Sequence, residues 1–184
     1  MILTILTLTH VAISLVAIFA GFVVLSGLLS GKHHDGWTTF FLATTVATSL
    51  TGFFFPFRGV TPAFITGVVS LVVLAMAIFA LYVRKLAGAW RKTYVISAVF
   101  ALYLNVFVLV VQAFLKIPAL KSIAPTQDAP VFKLTQLVVL IAFVALGIAS
   151  AIRFRIAPAA PNLGERHAKD SATQRTQPNQ SELA

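Results

Sequence analysis

The sequence has no cysteine and very few acidic residues. Its 184 residues include five Asp and Glu against 14 Lys and Arg, and none of the acids lies between Asp35 and Asp128. The missing cysteines exclude disulfides, thiolate nucleophiles, iron–sulfur clusters and thiolate zinc sites. The missing internal acids exclude carboxylate pairs for acid–base catalysis, carboxylate metal sites and the usual transporter proton relays from that whole stretch.

Charged residues of either sign are scarce, and apolar residues dominate. Only 10% of the residues are charged and 59% are hydrophobic, whereas a soluble domain is about half apolar and about a quarter charged. This composition predicts a helical membrane protein. The tail at 156–184 is neutral, so the net charge of +9 lies in residues 1–155, in short gaps between apolar runs. This distribution offers no basic face to nucleic acid, which we exclude as a partner.

Five apolar runs are long enough to cross a bilayer as helices, which takes about 20 residues. We predict an all-α transmembrane bundle in residues 1–155 and a disordered cytoplasmic tail at 156–184, which is rich in Pro, Asn, Gln, Ser and Thr. The first run is too long for a signal core, so we expect it to be retained, with cleavage after Ala20 as the alternative. The five predicted helices cover about residues 3–29, 37–55, 62–83, 93–115 and 132–152.

The Lys and Arg residues between the runs predict the orientation. The side that is richer in these residues faces the cytoplasm by the positive-inside rule. The N-terminus is then expected outside and the C-terminus inside. With five spans, one side carries Arg58, Lys116, Lys121 and Lys133, and the other carries Lys32, Arg84, Lys85, Arg91, Lys92, Arg153 and Arg155.

Small and polar residues at helical spacing predict the packing faces, because helices in lipid associate through such residues. In the first run the stripe is His10, Ser14, Ala17 and Gly21. In the fifth run Ala142, Ala145 and Ala149 share one side, and Gln136 points elsewhere.

The buried polar residues lean toward the outer half of the predicted bundle. One interpretation is a small polar pocket that opens outward, with His10 as its only titratable group. The other is interhelical hydrogen bonding, worth about 0.6 kcal/mol per contact. The candidate pocket comprises His10, Thr48, Thr51, Asn105 and Gln112.

His10 carries several chemical alternatives, since an ionisable group inside a membrane is a functional candidate by default. It can titrate near neutral pH, donate to Asn105 or Thr51, or ligate a metal. The competing interpretation is a neutral histidine satisfied by a nearby carbonyl or hydroxyl. A b-type haem commonly takes two axial histidines, so haem here needs a partner chain or a second copy. We predict no cofactor, with haem b or quinone near His10 as the alternative.

A basic segment with aromatic residues predicts contact with anionic headgroups at the inner surface. The residues are Arg84, Lys85, Trp90, Arg91 and Lys92. The adjacent His33, His34 and Asp35 cannot close a tetrahedral metal site alone, so we interpret them as a solvated loop and predict no metal site.

Four segments of the sequence carry a family resemblance. They are GWTTFFLATT at 36–45, TGFFFPF at 51–57, ALYLNVFVLVVQAF at 101–114 and APTQ at 124–127. These strings resemble an uncharacterised group of small bacterial polytopic integral membrane proteins, over nearly everything except the tail. The resemblance implies a location in the bacterial inner membrane and no particular activity.

Three functions follow as alternatives. The first is a non-enzymatic membrane component that binds a partner, a lipid or a small apolar ligand, because packing stripes occur without a catalytic constellation. The second is a redox membrane subunit holding haem or quinone near His10. The third is a small transporter or channel, which the lack of internal acids and of a repeat disfavours. Membrane lipids are the expected partners, together with another membrane protein or a second copy.

Overall fold

The computed structural model describes residues 1–55 and 62–154, and the predicted tail at 156–184 lies outside the described residues. Helices form 84% of the described residues, which contain no strand, so the all-α prediction is confirmed. The last turns of the third helix continue as a π-helical segment at Phe79–Val83. The α-helices are α1 (Ile2–Leu29), α2 (Asp35–Gly52), α3 (Pro62–Ile78), α4 (Trp90–Lys116), α5 (Pro118–Ile123) and α6 (Pro130–Arg153).

Four helical stretches of the described chain are long and apolar enough to cross a membrane, which indicates a membrane protein. The helix α2 is not one of them, because its 18 residues include six threonines, one serine and Asp35. The five-span prediction therefore depends on α2. The four stretches are Ile2–Leu29, Phe64–Val83, Trp90–Lys116 and Pro130–Arg153.

The helices α1, α2 and α3 alternate in direction. His10 of α1 bonds to Thr51 near the end of α2, and Gly27 of α1 packs against His34 just before α2 begins. The pair is therefore antiparallel. The same reversal relates α2 to the third helix, through the contacts Thr39–Tyr82 and Ser49–Ser70.

The helix α4 lies at the centre of the bundle, in contact with α1, α2, α3 and α6. It runs antiparallel to α6, since Phe114 contacts Phe132 and Gly147 lies beside Val99. The helix α6 packs against both α1 and α4, and its Phe143 ring lies between these two helices. The Phe143 ring centroid lies 6.3 Å from that of Phe22 and 5.8 Å from that of Tyr103.

Gly21 of α1 packs against both α2 and α4. A Cβ atom at this position would lie 2.4 Å from Leu102 Cδ1 and 2.8 Å from Phe41 Cε2. Both side chains are buried and cannot move aside cheaply. Glycine therefore sets the depth at which the three helices pack, as small residues do in membrane bundles.

The two ends of the bundle differ in charge. One end comprises the connectors 30–34 and 84–89, the start of α4 and the end of α6, and we call it the basic end. Its described basic residues are Lys32, Arg84, Lys85, Arg91, Lys92 and Arg153. The opposite end comprises residues 53–55, the end of α4, α5 and the start of α6, and its described basic residues are Lys116, Lys121 and Lys133.

Candidate functional site

One face of α2 is buried and rich in hydroxyl groups. The buried positions 38, 41, 42, 45, 48 and 49 recur at the spacing of a single helix face. Two of them are the apolar residues Phe41 and Leu42. The other four, Thr38, Thr45, Thr48 and Ser49, are called the hydroxyl face below.

Three members of the hydroxyl face join α2 to its neighbours α3 and α4. Each interaction links two different helices, so the polar groups of α2 serve packing. The bonds run from Ser49 Oγ to Ser70 Oγ (3.1 Å), from Tyr94 Oη to Thr38 Oγ1 (3.4 Å) and from Asn105 Nδ2 to Thr45 Oγ1 (3.4 Å).

The fourth member, Thr48, differs from the others. Its Oγ1 atom is buried and has no hydrogen-bond partner within the described residues. A buried hydroxyl without a partner costs free energy. Thr48 therefore adds volume to the interface without adding a bond.

His10 contacts the far end of α2. Its Nδ1 atom lies 2.9 Å from Thr51 Oγ1, and the Thr51 hydroxyl donates its proton to the α2 backbone, with the Ala47 carbonyl 2.8 Å away. With that proton on the carbonyl, Thr51 accepts from His10, and in a neutral ring this arrangement places the hydrogen on Nδ1 and the lone pair on Nε2. The ring also packs edge-on against Phe55, 5.4 Å between centroids.

The five residues of the candidate pocket are only partly brought together. His10 meets Thr51, whereas Asn105 bonds to Thr45 and not to either of them. Gln112 is exposed on α4. The geometry is closer to a series of pairwise contacts between helices than to a single lined cavity.

Gln136 packs on α4, a contact that the sequence analysis did not predict. This side chain is buried on α6, and its Nε2 donates to the Phe107 carbonyl of α4 at 3.2 Å. Ala142 and Ala145 are exposed, so the alanines that share one side of α6 do not mark its buried face.

Two open grooves lie at the basic end, one on each side of the last turns of α6. The first, about 470 Å³, lies between α4 and α6. The second, about 410 Å³, lies between α1 and α6 and includes Arg153. The first groove is lined by Arg91, Lys92, Ile96, Gly147, Ile148, Ala151 and Ile152.

The residues predicted to contact lipid fall into two groups. Arg91 and Lys92 line the groove between α4 and α6. The Arg84 guanidinium instead lies over the Trp90 ring, 5.1 Å from its centroid, in a cation–π contact. Lys85 is exposed and adopts a left-handed backbone conformation with φ of 47°. The groove therefore separates two of the five residues from the rest.

The connector between α1 and α2 is less solvated than the sequence predicted. His33 Nδ1 donates to the Asp35 carboxylate, and the His33 side chain is only 22% exposed. Its ring packs against Tyr94 and Phe154, with 5.9 Å between centroids in both cases. The solvated-loop interpretation is wrong for His33, because aromatic residues distant in sequence cover it. The described residues contain no group of three His, Cys, Asp or Glu that could hold a metal ion.

These observations define the class of the protein, which is an all-helical chain with four candidate membrane-spanning helices in its described part. No family model, curated protein or solved structure matches the chain significantly. The resemblance to small bacterial membrane proteins therefore stays a prediction.

Proposed function

We propose that this chain is a five-span integral membrane protein that acts by binding membrane components, without catalysing a reaction. The observation that carries the proposal is the use of the polar groups in α2. Thr38, Thr45 and Ser49 are engaged in bonds between helices, and the open grooves lie where the basic residues are. In a protein of this kind the polar groups inside the bundle serve packing, and the surfaces at the basic end are open to binding partners.

Five spans are supported by the position of α2 between its neighbours. Its start lies level with the end of the third helix through Thr39 and Tyr82, and its end lies level with His10 of α1 through Thr51. The third helix therefore begins at the opposite end of the bundle from the end of α1. If α1 and the third helix both span the bilayer, α2 must cross it as well.

Two of the residues that make α2 too polar for a simple span support this proposal. Thr44 and Thr51 return their hydroxyl protons to backbone carbonyls of α2, which removes unsatisfied donors from the lipid phase. The hydroxyl face is buried against other helices. Its outer side presents Phe40 and Leu50 instead, which suits lipid contact.

The orientation rests on the charge difference between the two ends. The basic end carries six described Lys and Arg residues and the opposite end carries three. The positive-inside rule then places the basic end in the cytoplasm and the N-terminus outside. We propose the bacterial inner membrane as the location, following the sequence resemblance.

His10 supports a second candidate function. Its Nε2 lone pair is available, and ligating histidines commonly donate their other nitrogen to a neighbouring oxygen, as His10 does to Thr51. This arrangement suits an axial haem ligand or a hydrogen-bond acceptor for a quinol. Haem would still require a second axial ligand from another chain or copy.

One purification separates the two candidates. The full chain is extracted from its native membrane in mild detergent, and its native mass and absorbance spectrum are recorded. The proposal predicts bound lipid or protein mass, with no Soret band and no quinone in an organic extract. A Soret band or extracted quinone that disappears in His10→Phe would favour the redox subunit. A bare chain with measurable turnover would contradict the binding function.

A further inference from the structure

The groove between α4 and α6 combines two cationic side chains with an apolar wall. Arg91 and Lys92 stand at one end, and Ile96 of α4 faces Ile148 and Ile152 of α6 along the rest. The groove opens at the basic end and has a volume of about 470 Å³. Its composition is amphipathic along its length.

The two cations lie where an isolated helix would disfavour them. Arg91 and Lys92 belong to the first turn of α4, which contains no acidic residue. The helix dipole makes this end positive, so two further positive charges are unfavourable there without an anion. A negatively charged group bound beside these two residues would therefore be stabilising.

No anion of the described chain meets this need. Asp35 pairs with His33, and Asp128 pairs with Lys133 at the opposite end. The Arg91 Nε atom is buried and has no hydrogen-bond partner within the described residues. The two cations of this groove therefore have no counter-ion within the described chain, and the exposed Lys92 ammonium is open to an anion from outside.

We propose that this groove binds one anionic phospholipid. The phosphate accepts from the Arg91 guanidinium and pairs with the Lys92 ammonium, and an acyl chain lies along Ile96 and Ile148. A free phosphate ion would use the two cations alone and leave the apolar wall without a role. Basic pockets between helices at the cytoplasmic side are suited to acidic headgroups. The inference deepens the proposed function and rests on it.

The test is a native mass spectrometry titration of the full chain in detergent. Dioleoyl phosphatidylglycerol and dioleoyl phosphatidylcholine are compared, because they share their acyl chains and differ in headgroup charge. The site variant is Arg91→Gln with Lys92→Gln. The matched control is Lys116→Gln with Lys121→Gln, which removes the same charge from exposed positions at the opposite end of the bundle. Each basic residue contributes about a factor of five, so the site variant should bind phosphatidylglycerol roughly 25-fold more weakly.

A second variant probes the apolar wall without changing any charge. Ile148 is 58% exposed, so Ile148→Trp can fill the groove without disturbing the core. It should also weaken phosphatidylglycerol binding. If the charge variant fails to fold, the result for Ile148→Trp tests the lipid site instead. An excess of inorganic phosphate should leave phosphatidylglycerol bound.

Three results would overturn the inference. They are equal binding of the two lipids by the unmodified chain, equal losses in the site variant and its matched control, and displacement of the lipid by inorganic phosphate. A chain that shows one of these results but still carries another membrane partner would refute the lipid site alone. A chain with no bound partner of any kind and a measurable turnover would refute the proposed function as well.

Discussion

At the residue scale, the hydroxyl face of α2 offers a comparison between two threonines of the same helix. Thr45 accepts from Asn105 Nδ2, whereas Thr48 Oγ1 is buried without a partner in the described chain. Both side chains are buried. The same substitution at each position therefore shows how much the hydrogen bond of Thr45 contributes to the free energy of unfolding, with Thr48 as the case in which no bond is lost.

Thr45→Val should lower the free energy of unfolding by about 0.6 to 1.7 kcal/mol, because Asn105 loses its acceptor. Thr48→Val should leave it unchanged or raise it, because an unsatisfied hydroxyl is removed. Both are measured by SDS titration of the purified chain followed by circular dichroism. Equal destabilisation by the two variants would show that the Asn105 bond is not an interaction of the folded protein.

At the scale of the element, α6 is held by a narrow seam. Its buried residues are Phe132, Gln136, Phe143 and Ser150, and the remainder of the helix is largely exposed. Phe143 contacts both α1 and α4 through Phe22 and Tyr103. This ring is therefore expected to dominate the attachment of α6.

Phe143→Ala should lower the free energy of unfolding by about 3 kcal/mol, since it leaves a cavity between three helices. Val144→Ala is the control, because this neighbouring residue is 53% exposed and its loss should cost less than about 0.5 kcal/mol. The SDS titration measures both. If the two variants were equally stable, α6 would have to be attached by other contacts.

The two small-residue stripes show what the sequence can and cannot predict about packing. In α1 the stripe was informative, since Ala17 and Gly21 are buried. In α6 the alanines share a face, but the buried face contains Gln136 and Phe143. A helix at the edge of a bundle has several apolar faces, and local spacing does not reveal which of them meets a neighbour. A large ring can fill a groove as well as a small residue can allow close approach.

At the scale of the whole molecule, the helical class was predictable because long apolar runs have few other structures available in lipid. The neighbours of each helix were not. These neighbours depend on contacts between segments far apart in sequence. Examples are His10 with Thr51, Asn105 with Thr45, and the His33 ring with the Phe154 ring. The grooves beside α6 were not predictable for the same reason.

The central claim is that the polar helix α2 crosses the membrane, and its two ends can be labelled separately. The chain contains no cysteine, so single-cysteine variants have no background. Lys32→Cys marks the basic end, and Phe54→Cys marks the opposite end, where Phe54 is 74% exposed. Ser122→Cys on the exposed surface of α5 is the control for the Phe54 side.

The measurement is labelling of intact cells with a membrane-impermeant maleimide, before and after the membrane is opened. We expect Phe54→Cys and Ser122→Cys to react in intact cells, and Lys32→Cys to react only after opening. Reaction of Lys32→Cys and Phe54→Cys from the same side would contradict the account, because α2 would then not cross the bilayer.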